Sequence, residues 1–294
     1  MKSKILVLLI CILIGLGYFK RAEINTAIVQ LNLKTEVNDD AKESPYKSRL
    51  IDKKNDTLMP KEYLASGITY DWDRKEYVLV SDHPHKLFAE KASTLITLDK
   101  EVTNKLYSAK IESDSDLEGI AYIGKNRSYS ISEKGNIYVL KRNELGEWEL
   151  ASTLKGTNGV SKKVASLAFD KDNEVLYTAE KEQEKKLYKM DLDGNILEII
   201  KLKLEGNSAD IDKDFTISGM AYADKRLLIL SEAYSTIFIY DTEVDEIIDS
   251  VGLDNTREVS GIALSDKSAI TIGDQEDYIP EPVISKFSKM EIVK

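Results

Sequence analysis

Cysteine and histidine are nearly absent from this 294-residue chain. Its single cysteine, Cys11, excludes an intrachain disulfide. The two histidines stand together in Asp82-His83-Pro84-His85, and no Gly-x-Ser-x-Gly elbow or His-Glu-x-x-His pair accompanies them. A Ser-His-Asp triad is hard to build from so little. The Asp-His-Pro-His run reads as a polar loop more readily than as a zinc or copper site, which needs ligands from elsewhere. No long basic stripe breaks the excess of 51 acidic over 41 basic residues, so nucleic acid is not an expected partner. The net charge of −10 suits cation binding or plain solubility. Past the N-terminus no segment sustains a helical period.

What the chain does have is a phrase used five times: Ser66-Gly67-Ile68-Thr69-Tyr70, Glu118-Gly119-Ile120-Ala121-Tyr122, Ala165-Ser166-Leu167-Ala168-Phe169, Ser218-Gly219-Met220-Ala221-Tyr222 and Ser260-Gly261-Ile262-Ala263-Leu264. A period of roughly 40–50 residues is that of a β-propeller blade. About ten residues after each phrase comes a short apolar run ending in a carboxylate: Asp82, Glu133, Glu180, Glu232 and Asp274. A third run follows, as in Ile137-Tyr138-Val139-Leu140 and Ile237-Phe238-Ile239-Tyr240. Short runs rich in Ile, Val, Leu, Tyr and Thr, separated by turn residues such as Asp193-Gly194-Asn195, are strands. The expected fold is an all-β propeller of five or six four-stranded blades, preceded by one N-terminal hydrophobic helix. A sixth, degenerate blade is expected from residues 40–60 and the C-terminal strand, with strands from both chain ends closing the ring. Gly67, Gly119, Gly219 and Gly261 then mark close backbone approach near the axis, with the neighbouring Ile or Met filling the space between blades.

The N-terminus has a different character. Lys2 and Lys4 precede an apolar run from Ile5 to Phe19, and Lys20-Arg21 ends it. At about 1.5 Å per residue the run spans about 22 Å, short of a hydrocarbon core of about 30 Å. No small-x-small cleavage pattern follows, and flanking basic residues with Tyr18 and Phe19 suit an interface, so a signal anchor is favoured over a cleaved signal. Ile10 before Cys11 argues against lipidation, because a small residue is wanted there. Residues 1–21 therefore read as signal-anchor or transmembrane segment, 22–59 as a polar tether and 60–294 as the propeller. The expected location is the cell envelope. The propeller lies outside the cytoplasm, anchored to the inner membrane, or is secreted or periplasmic if the segment is cleaved.

If the repeats are blades, Asp82, Glu133, Glu180, Glu232 and Asp274 occupy equivalent positions and form a ring at one channel mouth. Converging anions hold raised pKa values, recruit basic side chains or bind a cation, and an oxygen-ligated ion such as calcium is the natural candidate. The competing reading makes them strand-end residues bonded to a neighbouring blade or facing water. Asp191-Leu192-Asp193-Gly194-Asn195 is only faintly like a calcium loop: Leu202 stands where an EF-hand requires Glu.

The ordered set of phrases, from Glu118-Gly119-Ile120-Ala121-Tyr122-Ile123-Gly124 through Leu176-Tyr177-Thr178-Ala179-Glu180 to Leu228-Ile229-Leu230-Ser231-Glu232, resembles the SdiA-regulated, YjiK-like β-propellers of bacteria over residues 60–290. The resemblance implies an envelope-located propeller behind a single hydrophobic segment, with calcium-linked roles. Such proteins often carry Glu-Gly-Ile or Glu-Gly-Leu in several blades. Here only Glu118 keeps that glutamate, with Ala165 and Ser260 in the other expected places. Glu133, Glu180, Glu232 and Glu258 are the compensating carboxylates. Two functions follow as expectations. The first is a non-catalytic, membrane-tethered propeller that binds a cation, a small ligand or an envelope protein partner, and serves envelope signalling or ion response. The alternative is a calcium-dependent hydrolase of the lactonase or phytase-like type, in which the metal polarises a carbonyl or phosphoryl oxygen. Lactonase-like sites combine acids with Asn and His at the axis, and this ring offers no matching histidine.

Overall fold

The computed structural model describes residues 49–51, 53–58, 65–81, 92–102, 105–112, 116–154, 163–181, 186–202, 215–253, 259–265, 269–273 and 283–287, all within one compact unit, Asp40–Lys294. The expected N-terminal helix and its anchor role lie outside them. Among the described residues no helix is long and apolar enough to cross a membrane.

Two short strands come first, β1 (Arg49–Ile51) and β2 (Lys53–Leu58). Sheet I then holds β3 (Ala65–Asp71), β4 (Glu76–Ser81), β5 (Ala92–Leu98) and β6 (Lys105–Glu112). Sheet II holds β7 (Leu117–Gly124), β8 (Arg127–Ser132), β9 (Ile137–Arg142) and β10 (Trp148–Leu154). Sheet III holds β11 (Val164–Asp170), β12 (Val175–Glu180), β13 (Lys186–Met190) and β14 (Ile196–Lys201). Sheet IV holds β15 (Gly219–Ala223), β16 (Arg226–Ser231), β17 (Thr236–Asp241) and β18 (Glu246–Leu253). Sheet V holds β19 (Val259–Leu264), β20 (Ala269–Gly273) and β21 (Val283–Phe287). Each sheet is an antiparallel meander, as short hairpin-joined strands require.

The first strands β3, β7, β11, β15 and β19 touch one another in turn, and β19 returns to β3. The sheets thus surround a common axis as a β-propeller. No sixth sheet forms among the described residues. The N-terminal segment instead supplies β2 as the outermost strand of sheet V, antiparallel to β21 with Asp56 opposite Ser285 and Leu58 opposite Val283. Sheet V lacks a fourth strand of its own, and β2 covers the edge that β21 would otherwise leave open. Just before it, β1 adds in parallel to β18, with Leu50 opposite Gly252.

Burial on both sheet faces explains why second strands such as β4 and β16 read as largely apolar runs. In β16, Leu227 and Ile229 pack toward sheet III with Tyr177, Leu187 and Phe238, whereas Leu228 and Leu230 pack toward sheet V with Val259 and Ile262. Each neighbouring pair of sheets shares one such cluster. Sheets I and II meet through Val78, Leu95, Ile120 and Trp148, and sheets V and I through Ile68, Leu79, Ala263 and Ile284. A buried cation reinforces the first of these seams. Arg142 reaches from β9 to Glu76 at 2.6 Å and to Asp71 at 3.3 Å, and its guanidinium lies 4.6 Å from the Trp148 ring centre.

Candidate functional site at the channel axis

Every first strand is the edge of its sheet on the axial side, so one row of its amides and carbonyls has no ladder partner there. The approach of these strands is close enough to exclude a side chain. A Cβ on Gly119 would lie 2.5 Å from the Leu167 amide nitrogen, and one on Gly219 would lie 2.9 Å from the Gly261 Cα. Glycine is what lets the channel narrow to a waist.

At the waist is a cavity of about 10 Å³ whose walls include Glu118, Gly67, Ser166, Gly219 and Ser260. That is room for about one water-sized sphere. Most hydroxyls around it are committed. Ser260 donates to the Ala65 carbonyl at 3.1 Å and Ser218 to the Leu230 carbonyl at 3.3 Å. Second-strand hydroxyls hold first-strand carbonyls, Ser130 that of Gly119 at 2.8 Å and Thr178 that of Ser166 at 2.7 Å. Ser166 Oγ is the exception. It is buried and has no hydrogen-bond partner among the described residues.

Three of the five acids expected to form a ring, Glu133, Glu180 and Glu232, are among the described residues. Antiparallel pairing sets Val164 opposite Glu180 and Leu117 opposite Ser132, so the ends of the second strands share a mouth with Glu118. Glu118 lines the waist, but Glu133, Glu180 and Glu232 line neither axial cavity. Glu133 sits in the β8–β9 turn, where its carbonyl accepts the Lys163 and Val164 amides of sheet III at 3.1 and 3.3 Å. Glu180, only 8 % exposed, accepts a hydrogen bond from the Tyr188 hydroxyl of its own sheet. Glu232 opens the β16–β17 turn, its carbonyl accepting the Ser235 amide at 3.1 Å. Among the described residues no three His, Cys, Asp or Glu side chains converge to a metal-binding group. Asp82, Asp274, His83, His85 and Glu258 lie outside them. Asp191 is a turn former: it accepts the Asp193 and Asn195 amides at 3.0 and 2.8 Å and the Asn195 side-chain amide at 2.8 Å.

The opposite mouth is wider, a funnel of about 70 Å³ walled by Tyr70, Trp72, Tyr122, Phe169, Tyr222 and Leu264. Four of these are the final aromatic residues of the repeated phrase. Their recurrence is legible in the sequence, although attention to carboxylates passes over it. The Tyr122 hydroxyl donates across the sheet I–II seam to Asp73 at 2.7 Å, and the Tyr222 hydroxyl across the III–IV seam to Asp172 at 3.0 Å. Burial, then the hydrogen bond to Asp73, push the Tyr122 hydroxyl above its usual pKa against the opposing Asn126 amide. Burial, then Asp170 and Asp172, do the same to Tyr222. The partner aspartates are placed by the turns after β3 and β11. Asp71 Oδ1 accepts the Asp73 and Arg74 amides at 3.0 Å each, and Asp170 Oδ1 accepts those of Asp172 and Asn173 at 2.9 and 3.0 Å.

No family model matches this sequence, and no curated protein matches it. Among solved structures, the crystal structure of Myxococcus xanthus glutaminyl cyclase superposes with a TM-score of 0.60 at 13% identity, covering 84% of this chain and 100% of that one. The likeness shows the fold, a β-propeller. The β-propeller domain of Myceliophteria thermophila Cps50 (Swd1) superposes with a TM-score of 0.45 at 11% identity, covering 74% of this chain and 65% of that one.

Proposed function

We propose that this chain is a non-catalytic β-propeller that binds a calcium ion at the waist of its channel, with Glu118 as the charged ligand. One observation carries the reading. A cavity the size of a single ion has Glu118 in its wall together with Ser166, whose hydroxyl is buried and without a hydrogen-bond partner among the described residues. Calcium takes 6–8 oxygen ligands, and carbonyls of the first strands can complete such a set. Glu133, Glu180 and Glu232 act around this site through charge and turn structure, since they stand back from the axis. The apolar run from Ile5 to Phe19 tethers the propeller in the cell envelope, where calcium occupancy would report on the ionic environment to a partner.

Calorimetric titration with calcium tests this. Saturable heat is expected from the wild-type protein, with affinity lowered at least about tenfold in E118Q, because a charged oxygen ligand becomes a neutral one. S166A is expected to lose a smaller factor. No heat from the wild type, or equal affinity in E118Q, overturns the assignment.

A further inference from the structure

The wide mouth is a separate feature from the waist and asks for a different ligand. Five aromatic residues, Tyr70, Trp72, Tyr122, Phe169 and Tyr222, are in its wall, with Trp72 left 42 % exposed although its ring centre is only 4.7 Å from that of Tyr122. Directly behind the wall stand Asp73, Asp170 and Asp172. Asp73 and Asp172 accept the Tyr122 and Tyr222 hydroxyls, and none of the three makes an ion pair among the described residues. Two nearby cations have other neighbours. Lys225, whose ammonium feels Asp172, is held by Glu243 at 2.8 Å, and the Arg74 guanidinium lies against Gly146 on an outer turn of sheet II. A carboxylate that accepts a hydrogen bond from a phenol leaves the proton on the ring and enriches its electron density, which strengthens its attraction for a cation over its face.

The structure assigns this funnel as a binding site for a small organic ammonium group, of the quaternary or methylated kind. An anion is disfavoured by the three uncompensated carboxylates. A neutral apolar group would leave those charges without a counter-ion. The volume of about 70 Å³ suits a head group of a few heavy atoms, well below a drug-sized pocket.

Choline chloride is the probe, titrated calorimetrically into the full chain with a calcium chelator present so that the waist takes no part. Its neutral isostere 3,3-dimethylbutanol is titrated in parallel. Choline is expected to saturate the site at least tenfold more tightly than the isostere. W72A, at a position 42 % exposed, is expected to weaken choline at least tenfold, and D172N severalfold, with an unchanged melting temperature showing that each variant remains folded. The fluorescence of Trp72 should change on binding, whereas Trp148 is buried under Arg142. Isostere affinity within twofold of choline would make the funnel a plain apolar groove. Absence of saturable choline binding, or choline affinity unaltered by W72A, would likewise overturn the assignment.

Discussion

Gly119 shows how much of this molecule depends on single atoms near the axis. Its missing Cβ is the space occupied by the Ser166–Leu167 backbone, and backbone cannot yield as a flexible side chain would. Gly119→Ala is therefore expected to cost about 3 kcal/mol through overpacking, which lowers the melting temperature by about 10 °C in a domain of this size. Thermal unfolding followed by circular dichroism reads this directly, and a shift under about 2 °C would mean that the first strands are not packed as described. The tyrosines whose hydroxyls donate to aspartates make a second residue-scale prediction. Tyr122, Tyr222 and Tyr240 hold hydroxyl pKa values raised above the ordinary 10.0 by burial and by hydrogen bonds to Asp73, Asp170 and Asp172, and Asp245. A raised folded pKa favours the protonated form, so its stabilisation is complete below the unfolded value near 10 and is lost as pH rises beyond it. Melts between pH 8 and pH 11 should show stability falling in that alkaline window. Y122F/Y222F should fall less steeply, and parallel slopes in the two proteins would contradict the hydrogen bonds of Tyr122 to Asp73 and Tyr222 to Asp172.

At the scale of the strand, legibility tracks burial. All five repeated phrases are first strands, β3, β7, β11, β15 and β19, and the carboxylate-ended runs are second strands, where burial on both faces favours apolar residues along with small hydroxyl residues such as Ser130 and Thr178. Outer strands follow no such rule. In β10 only Trp148 is buried, and β14 leaves Leu197 and Ile199 more than half exposed, so neither carries a clean alternation. Still less legible is β2, with its sequence Lys-Lys-Asn-Asp-Thr-Leu, whose place comes from a hydrogen-bond ladder with β21 and from no hydrophobic pattern. The carboxylates illustrate the same limit. Antiparallel register is periodic, so Glu133, Glu180 and Glu232 recur at the same end of successive second strands. Radial depth depends on which strand or turn a residue occupies, so Glu118 alone of these four reaches the waist.

For the whole molecule, the central claim is that sheets from both chain ends close one ring, and that closure makes a waist and two distinct mouths. The seam lies where β2 joins β21 and β1 joins β18, strands separated by more than 190 residues of chain. Without the N-terminal pair, sheet V is left with three strands and an open ladder edge, and the ring has no covalent continuity to hold its first and last sheets together. The most direct test compares thermal unfolding of residues 40–294 with that of residues 59–294, which lack both strands. The closed ring predicts a single cooperative transition for the longer protein and a melting temperature at least about 10 °C lower, or no cooperative transition, for the shorter one. Melting temperatures agreeing within about 2 °C would contradict closure by the N-terminal strands.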